Sequence, residues 1–587
     1  MLHLFKYLKK KDWLLFLFSI GLIVLQVWLE LKMPDYTKNL TTIVQNGTTN
    51  MNEVWKNGGL MLLCAAGSMI AAMICAILIS KIASSFSMNL RNELFNKIIH
   101  FSNAEFNHFS TPSLITRTTN DVVQMQNFMA MGIQMLFKAP IMAIWAILKI
   151  SSTDISWSIA TIICVAIIVI CVSILVILCL PRFKKIQKLT DELNDVTREN
   201  VSGVRVVRAF NAEKYQEEKF EKVNDKITKT NLFTSKAMGL LNPIMTICMN
   251  GLTIAIYWIG AILINKITIE NGVDAMLNDR IAVISNMTAF TQYAMSVVMA
   301  FMMLIMIFII LPRTIVSGNR IYEVLKTKIS IVGKNEEVLC EQKGTIEFDN
   351  VSFSYLKNEK EAVSNLSFKV KKGETLAIIG ATGSGKSTIV NLLSRFYDVT
   401  SGAIYVDGIN VKDYNEKQLR DKISLAPQKA ALFKGSIKEN ITYGSTIQED
   451  DKIQQAIDIA QAGFIYSFEN GIDSEVAQGG NNFSGGQKQR LSIARALYKN
   501  AEIIVFDDTF SALDYQTDML VRKAIKHNLK DTTVIIIAQR IGTIMNADNI
   551  LVLDEGKIVG YGKHEELLKS CKIYQEIALS QLSKEEL

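Results

Sequence analysis

The sequence contains few of the residues that bind transition metals. It has only five histidines among 587 residues, and they do not cluster. None of its eight cysteines has C-x-x-C or other metal-ligand spacing. Six cysteines lie in apolar runs and two are isolated in more polar segments: Cys64, Cys75, Cys164, Cys171, Cys179 and Cys248, then Cys340 and Cys571. We therefore interpret the cysteines as small buried apolar residues.

The sequence also lacks a nucleic-acid-binding pattern and a cleavable leader. The net charge is only +7, and no stripe of basic residues alternates with aromatic residues, so no nucleic-acid partner is indicated. Most early basic residues stand beside apolar runs instead, as membrane-orientation signals do. The first apolar run is too long for a signal peptide and no small-residue cleavage site follows it, so we expect no cleaved segment.

Long apolar runs dominate the first half of the chain. A membrane-crossing helix needs about 20 apolar residues, and six runs qualify: residues 13–33, 58–80, 129–150, 156–180, 238–264 and 288–311. Lysine and arginine are concentrated at the N-terminus and between the fourth and fifth runs. The positive-inside rule therefore predicts a multi-pass protein of the lipid bilayer with both termini in the cytoplasm.

Polar residues within the spans have two interpretations. Glu30, Lys138 and Gln292 lie within or near the ends of spans. Charge inside a membrane is costly and usually faces a cavity or a partner. A long side chain near the end of a span can instead reach the headgroups. From the sequence alone both interpretations stay open.

The segments between spans on the inner side are long. Segments 81–128 and 181–237 contain repeated charge and few helix breakers, so they are predicted to be helical and to project from the bilayer. Residues 118–121 and 208–213 are candidates for the tips of these two helical segments, where they would press on a soluble domain. Solvated helical loops are the alternative.

The second half begins with a phosphate-binding motif. Residues 380–387 fit G-x-x-x-x-G-K-[ST] and follow a short apolar strand, so backbone N–H groups and a helix N-terminus are predicted to face the phosphates of ATP. Lys386 is expected to reach the β- and γ-phosphates, and Ser387 to bind Mg²⁺. Asp507 ends another apolar strand and is a second predicted Mg²⁺ ligand. The predicted nucleotide-binding residues of this region are Thr382, Gly383, Ser384, Gly385, Lys386, Ser387 and Thr388.

Further motifs carry a resemblance to a known family. Residues 484–487 read Ser-Gly-Gly-Gln, Gln428 follows Ala-Pro, residues 511–514 read Ser-Ala-Leu-Asp, and Gln539 follows further along the chain. In order and spacing these resemble the signature, Q-loop, D-loop and switch of ATP-binding cassette (ABC) proteins. The six spans resemble the exporter-type membrane domain of the same family.

The resemblance implies a domain organisation. An all-α six-helix membrane domain would occupy residues 1–325, a linker residues 326–342, and an α/β P-loop cassette domain residues 343–587. Cassettes of this family pair head to tail. Since the chain has one set of motifs, it would dimerise with a second half-transporter.

The resemblance also implies roles for particular residues. Tyr355 would stack on adenine. Gln428, at the Q-loop position, would serve nucleotide binding, Mg²⁺ binding and catalysis. The signature residues would contact the ATP held by the partner: Ser484, Gly485, Gly486 and Gln487.

Two positions depart from the family pattern at the step of ATP cleavage. Asp508 stands where hydrolytic members carry a general-base Glu, and Gln539 replaces the switch His. Asp is one methylene shorter than Glu, so its carboxylate is withdrawn by about 1 Å. A shift of that size can lower the rate on the order of 10²-fold. The pattern resembles the slow-site subunit of heterodimeric multidrug exporters of the bacterial plasma membrane. A slow homodimer, a non-transporting sensor and an importer stay open, as do amphipathic drugs, lipids and peptides as substrates.

Overall fold

The computed structural model describes residues 2–46, 51–151, 155–267, 273–334, 336–355 and 360–582. It divides into two compact units. The first unit comprises Met1–Ile99 and Pro112–Lys326, and the second comprises His100–Thr111 and Thr327–Leu587.

Helices make up the described regular structure of the first unit. A short 3-10 helix, Leu2–Tyr7, precedes the long helices, and a π-helical turn, Phe128–Gly132, joins two of them. The α-helices up to Lys326 are α1 Lys10–Gln45, α2 Met51–Ile99, α3 Asn103–Phe109, α4 Thr111–Thr118, α5 Asn120–Asn127, α6 Ile133–Ser151, α7 Ile155–Ser202, α8 Val204–Ala209, α9 Glu213–Gly239, α10 Leu241–Asn265 and α11 Val273–Lys326, of which α3 belongs to the second unit.

Six helical segments of the described chain are long and apolar enough to cross a membrane, and each contains one of the predicted runs. Only 17–33% of the residues in their most apolar windows are buried within the protein. Large apolar side chains such as those of Leu14, Leu62 and Ile162 are mostly exposed. Such a surface is costly in water and stable against lipid. The prediction of six spans is therefore confirmed.

Several of these helices are longer than the hydrocarbon layer requires. Helix α2 has 49 residues and α7 has 48. At 1.5 Å per residue each is about 70 Å long, against about 30 Å of hydrocarbon. Segments 81–128 and 181–237 are helical apart from short breaks, which confirms the prediction that they form helices.

Charged side chains inside the first unit pair with one another. Lys138 Nζ lies 2.9 Å from Glu30 Oε1, which also accepts a hydrogen bond of 2.8 Å from Gln26 Nε2. Lys149 Nζ lies 2.8 Å from Asp35 Oδ2. The ammonium of Lys138 thus pairs with a carboxylate of α1. Pairing of this kind reduces the high cost of a charge in the hydrocarbon region.

Removing one member of the Glu30–Lys138 pair is expected to destabilise the first unit. Lys138→Met leaves the Glu30 carboxylate without its cation, at a cost of about 2 kcal/mol, since both side chains are largely but not fully buried. Glu30→Gln combined with Lys138→Met should regain most of that loss. Thermal unfolding in detergent measures both variants. An equal Tm for Lys138→Met and wild type would contradict the prediction.

The first candidate tip, residues 118–121, lies in the first unit. Asp121 is buried there, where its carboxylate lies 3.3 Å from Arg320 Nη1 and accepts a hydrogen bond of 2.9 Å from Ser317. These contacts hold the segment against α11. That residues 118–121 press on a soluble domain stays a prediction. The second candidate, residues 208–213, stays a prediction.

The stretch that clusters with the second unit is His100–Thr111, which contains α3. Asn107 Nδ2 donates a 3.0 Å hydrogen bond to Tyr397 Oη, and the Ser330 backbone N–H donates one of 3.2 Å to Glu105 Oε1. Burial alone would raise the pKa of Glu105, but hydrogen bonds from two serines outweigh burial and lower it. An ionised Glu105 thus fastens the start of α3 to the segment that follows α11.

The second unit combines β-sheets with short helices. Its remaining α-helices are α12 Lys386–Leu393, α13 Glu416–Lys422, α14 Ile437–Ile441, α15 Asp450–Ile459, α16 Gly485–Tyr498, α17 Tyr515–Asn528, α18 Ile541–Ile544, α19 His564–Ser570 and α20 Lys572–Leu579. Its strands are β1 Ile346–Phe353, β2 Val363–Val370, β3 Thr375–Gly380, β4 Ser401–Val406, β5 Ile409–Asn410, β6 Ile423–Ala426, β7 Gly435–Ser436, β8 Glu475–Val476, β9 Ile503–Asp507, β10 Thr533–Ile537, β11 Asn549–Asp554 and β12 Lys557–Gly562.

Two larger sheets organise this unit. Six strands take the order β12-β11-β3-β10-β9-β6, in which β11, β3, β10, β9 and β6 run parallel and β12 is antiparallel. Four strands form an antiparallel sheet in the order β2-β1-β4-β5. The central strands β9 and β10 are apolar and buried, as in parallel sheets covered on both faces. The carboxyl ends of β3, β10 and β9 lie side by side, which is where ligands bind in such sheets.

Candidate nucleotide-binding site

The glycine loop connects the end of β3 to the start of α12. Gly383 and Gly385 have φ of 86° and 98°, a left-handed conformation that favours glycine. A Cβ on Gly385 would lie 2.7 Å from Val363 Cγ1 and 2.8 Å from the Ala362 carbonyl oxygen. The loop therefore needs glycine both for its turn and for its close approach to β2.

A cavity of ≈ 360 Å³ lies beside this loop, which is within the range of small-ligand sites. It brings together most of the residues that the motifs predict. The lining residues are Tyr355, Ala362, Thr382, Gly383, Gly385, Lys386, Ser387, Thr388, Gln428, Asp507, Asp508, Ile537 and Gln539.

The loop fits a phosphate group. Lys386 Nζ donates to the Gly380 and Ala381 carbonyl oxygens at 2.7 and 2.8 Å, and burial lowers the pKa of this lysine. Ser384 is buried, and its Oγ has no hydrogen-bond partner among the described residues. A buried hydroxyl without a partner is unfavourable, so a phosphate oxygen here would satisfy it. The backbone N–H groups at the start of α12 are further donors for a phosphate.

Oxygen ligands suited to Mg²⁺ stand next to the loop. Ser387 Oγ donates a 3.3 Å hydrogen bond to Asp507 Oδ1 at the end of β9. Burial raises the pKa of Asp507; the bond from Ser387 opposes the rise, and the charge of Asp508 adds to it. A hydroxyl and a carboxylate oxygen are hard ligands of the kind that Mg²⁺ takes together with substrate phosphates and water.

Two amide side chains hold Asp508. Gln428 Nε2 and Gln539 Nε2 both donate to Asp508 Oδ2, at 3.2 and 3.0 Å. The backbone of Asp508 is left-handed, with φ of 48°, and the residue is buried. In ATP hydrolysis the Asp508 carboxylate would take a proton from the attacking water. One of its two oxygens, Oδ2, already accepts two hydrogen bonds. An amide also cannot shuttle a proton as His does.

Tyr355 connects the cavity to helix α3. Its hydroxyl lies 3.0 Å from Thr388 Oγ1, and its ring meets that of Tyr397 edge to face with centroids 5.2 Å apart. Tyr397 in turn accepts the hydrogen bond from Asn107. Sequence reasoning missed Tyr397 and Asn107, because neither belongs to a motif and only the folded chain brings them to Tyr355.

The signature residues do not line this cavity. Ser484 caps α16: its Oγ accepts from the Gln487 N–H at 3.3 Å, and Gln487 Oε1 accepts from the Ser484 N–H at 2.9 Å. Gly485 and Gly486 follow in the first turn, and a Cβ on Gly485 would meet no atom within 4 Å. Open space therefore lies in front of this turn.

Comparisons with known proteins agree with this geometry. The ABC transporter transmembrane region matches residues 16–278, and the ABC transporter domain matches residues 363–511. An uncharacterised ABC transporter ATP-binding protein of Mycobacterium tuberculosis is 36% identical over 529 residues, which cover 89% of this chain and 87% of the relative. The chain belongs to the ABC transporter family.

Two further matches extend the comparison. An ATP-dependent lipid A-core flippase of Desulfotalea psychrophila is 32% identical to this ABC transporter over 511 residues, which cover 85% of each chain. The structure of a bacterial Atm1-family ABC exporter with ATP bound superposes with a TM-score of 0.77 at 24% identity, covering 96% of this chain and 98% of that one. The fold is therefore that of an ABC exporter half, a membrane domain joined to an ATP-binding domain.

The ring of Tyr355 is expected to contribute to ATP affinity. Tyr355→Ala should weaken ATP binding about 10- to 100-fold, since stacking on a base is worth about 1–3 kcal/mol. Tyr355→Phe keeps the ring and loses only the bond to Thr388, so it should bind nearly as wild type does. Equilibrium binding of a fluorescent ATP analogue measures both. Equal losses in the two variants would contradict a stacking role.

Proposed function

We propose that this ABC transporter is one half of an ATP-driven exporter of the bacterial plasma membrane, with both termini in the cytoplasm. The observation that carries the proposal is the cavity that joins the phosphate loop, Asp507 and Tyr355, in a chain that also has six spans. The exporter fold and the relative named as a flippase support transport away from the cytoplasm.

The nucleotide site of this chain binds ATP and cleaves it slowly. Tyr355 would stack on adenine, the loop with Lys386 would hold the phosphates, and three side chains would hold Mg²⁺, which would neutralise phosphate charge: Ser387, Asp507 and Gln428. A general base must reach the attacking water and take its proton. The short carboxylate of Asp508 already accepts from two amides, so it is poorly suited to this task.

The partner in this proposal is a second, different half-transporter. The signature turn is intact and has open space in front of Gly485, so it can meet an ATP held by another cassette. A partner with the catalytic Glu and the switch His would hydrolyse that ATP quickly. The pair then has one slow site and one fast site, as in the heterodimeric multidrug exporters that the sequence resembles.

The proposed substrates are amphipathic small molecules, lipids or peptides. The test is transport by the full chain, co-expressed with a half-transporter encoded beside it and reconstituted in vesicles. ATP-dependent uptake of a fluorescent amphipath into inside-out vesicles is the expected result, and loss of uptake in Lys386→Ala combined with the matching change in the partner ties it to ATP. Nucleotide binding without uptake of any drug, lipid or peptide probe would favour a sensor.

A further inference from the structure

A second cavity lies in the first unit, where α1 meets α6, α7, α10 and α11. Its volume is ≈ 390 Å³, and it combines charged, polar and apolar side chains, as small-molecule sites do. Its charged and polar lining residues are Asp35, Lys38, Lys149, Asn286 and Tyr293.

The carboxylate of this cavity is already bound by the protein. Asp35 Oδ2 lies 2.8 Å from Lys149 Nζ, and Asp35 Oδ1 accepts a 2.5 Å hydrogen bond from the Tyr293 hydroxyl. Lys32 Nζ stands 3.9 Å from the same carboxylate. An organic cation in the cavity would have to compete with these groups for Asp35, so the carboxylate would contribute little to the binding of a cation.

The lysines leave an excess of positive charge. Two lysines and one carboxylate line the cavity, and Lys32 adds a further cation beside them. Lys38 is exposed, and no side chain of the described residues accepts a hydrogen bond from its ammonium. An anion near Lys38 and Lys149 would therefore gain charge-assisted contacts, which are strong where water is partly excluded.

An apolar wall completes the cavity. Trp157 and Phe290 line the cavity and are buried, with ring centroids 5.4 Å apart. The Trp157 indole N–H already donates to the Ile256 carbonyl oxygen at 3.1 Å, so this side chain has no polar group left for a ligand. Leu263 and Val283 also line the cavity and are only partly buried, so they offer apolar surface to a ligand.

We propose that this cavity binds an anionic amphipath, a molecule with a phosphate- or carboxylate-type group joined to an apolar body. The anionic group contacts Lys38 and Lys149, and the body packs on the apolar wall. This proposal adds a charge class for the substrate of the proposed exporter. The idea that the ligand is transported rests on the proposed function. Binding itself is tested without nucleotide.

The first test uses the full-length chain in phosphatidylcholine nanodiscs, which carry no net charge, with radiolabelled dodecyl phosphate as the probe. Empty nanodiscs correct for partition into lipid. We expect saturable binding that neither dodecyltrimethylammonium nor inorganic phosphate displaces at matched concentrations. Lys38→Gln should weaken binding about tenfold, since a charge-assisted hydrogen bond is lost. Lys38→Glu should weaken it further, because it places a like charge beside the anion.

Lys56→Gln is the matched control, since Lys56 is also an exposed lysine of the first unit and does not line the cavity. It should bind dodecyl phosphate as wild type does, and an unchanged Tm shows that the variants are folded. The proposal is overturned if the organic cation competes as well as unlabelled dodecyl phosphate, if inorganic phosphate competes equally, or if Lys38→Gln and Lys56→Gln behave alike.

A second arm distinguishes transported substrate from resident lipid. Stimulation of ATPase activity by dodecyl phosphate, lost in Lys38→Gln and kept in Lys56→Gln, supports a substrate at this cavity. Saturable binding without stimulation still supports the anion site and assigns it to a lipid. Because the binding arm contains no ATP, a failure of the proposed transport does not alter its outcome.

Discussion

Replacing Asp508 with Glu and Gln539 with His is expected to raise the ATPase rate at this chain's own site by about 10²-fold. The added methylene brings the carboxylate about 1 Å nearer to the attacking water. Replacing Gln539 with His removes one of the two amides that now donate to Asp508, and the imidazole adds a group that can carry charge. The purified full-length chain without the proposed partner is the material to use, because every nucleotide site that this chain forms alone contains its own Asp508 and Gln539.

The two single variants show how much each substitution contributes to the increase in ATPase rate. Asp508→Glu alone should give part of the increase, since Gln539 still donates to the carboxylate, and Gln539→His alone should give less. Asp508→Asn combined with Gln539→His is the control and should stay slow, because it has no base. A Glu–His double variant as slow as wild type, with ATP binding intact, would show that the slow rate has another origin.

Placing a carboxylate in the signature turn should lower the ATPase activity of the site that the proposed partner holds. In the complex with the proposed partner, Gly485→Asp is expected to reduce ATPase activity by about 10²-fold or more. Removing one donor to developing charge costs about 10²–10³ in rate, and a negative charge facing the partner's phosphates opposes the reaction in the same way. The added Cβ meets no atom within 4 Å, so the cassette should fold normally.

Gly463→Asp is the matched control for this change. Gly463 is exposed, a Cβ there also meets no atom within 4 Å, and the residue begins a short 3-10 helix outside the nucleotide motifs. Its ATPase rate should equal that of wild type, and ATP binding to the chain's own loop should persist in both variants. Full activity of Gly485→Asp would rule out contact between this turn and a hydrolysing site.

The cassette motifs and the spans could be predicted because their signals are local in the sequence. Phosphate binding requires glycines and a lysine at fixed spacing, so Gly383, Gly385 and Lys386 can be recognised from the sequence alone. A hydrocarbon layer dictates the length and composition of each span. For Asp508 and Gln539 the sequence showed the departure from the family pattern, and it did not show that two amides converge on one carboxylate oxygen.

Features that depend on distant residues could not be predicted. Lys138 was ambiguous until the fold placed Glu30, 108 positions away in sequence, at 2.9 Å. The link from Asn107 through Tyr397 to Tyr355 joins three segments with no shared motif. Each of these contacts is decided by packing, which a single sequence does not reveal.

The capping box at the start of α16 has a consequence for when two cassettes associate. Ser484 and Gln487 satisfy each other's backbone donors, so their capping groups are already paired within the lone chain. These two groups therefore do not favour association by themselves, and we expect an ATP held by the other cassette to supply the attraction at this turn. Closure of the proposed pair would thus depend on bound ATP, because the capped signature turn brings no unpaired capping group of its own to the contact.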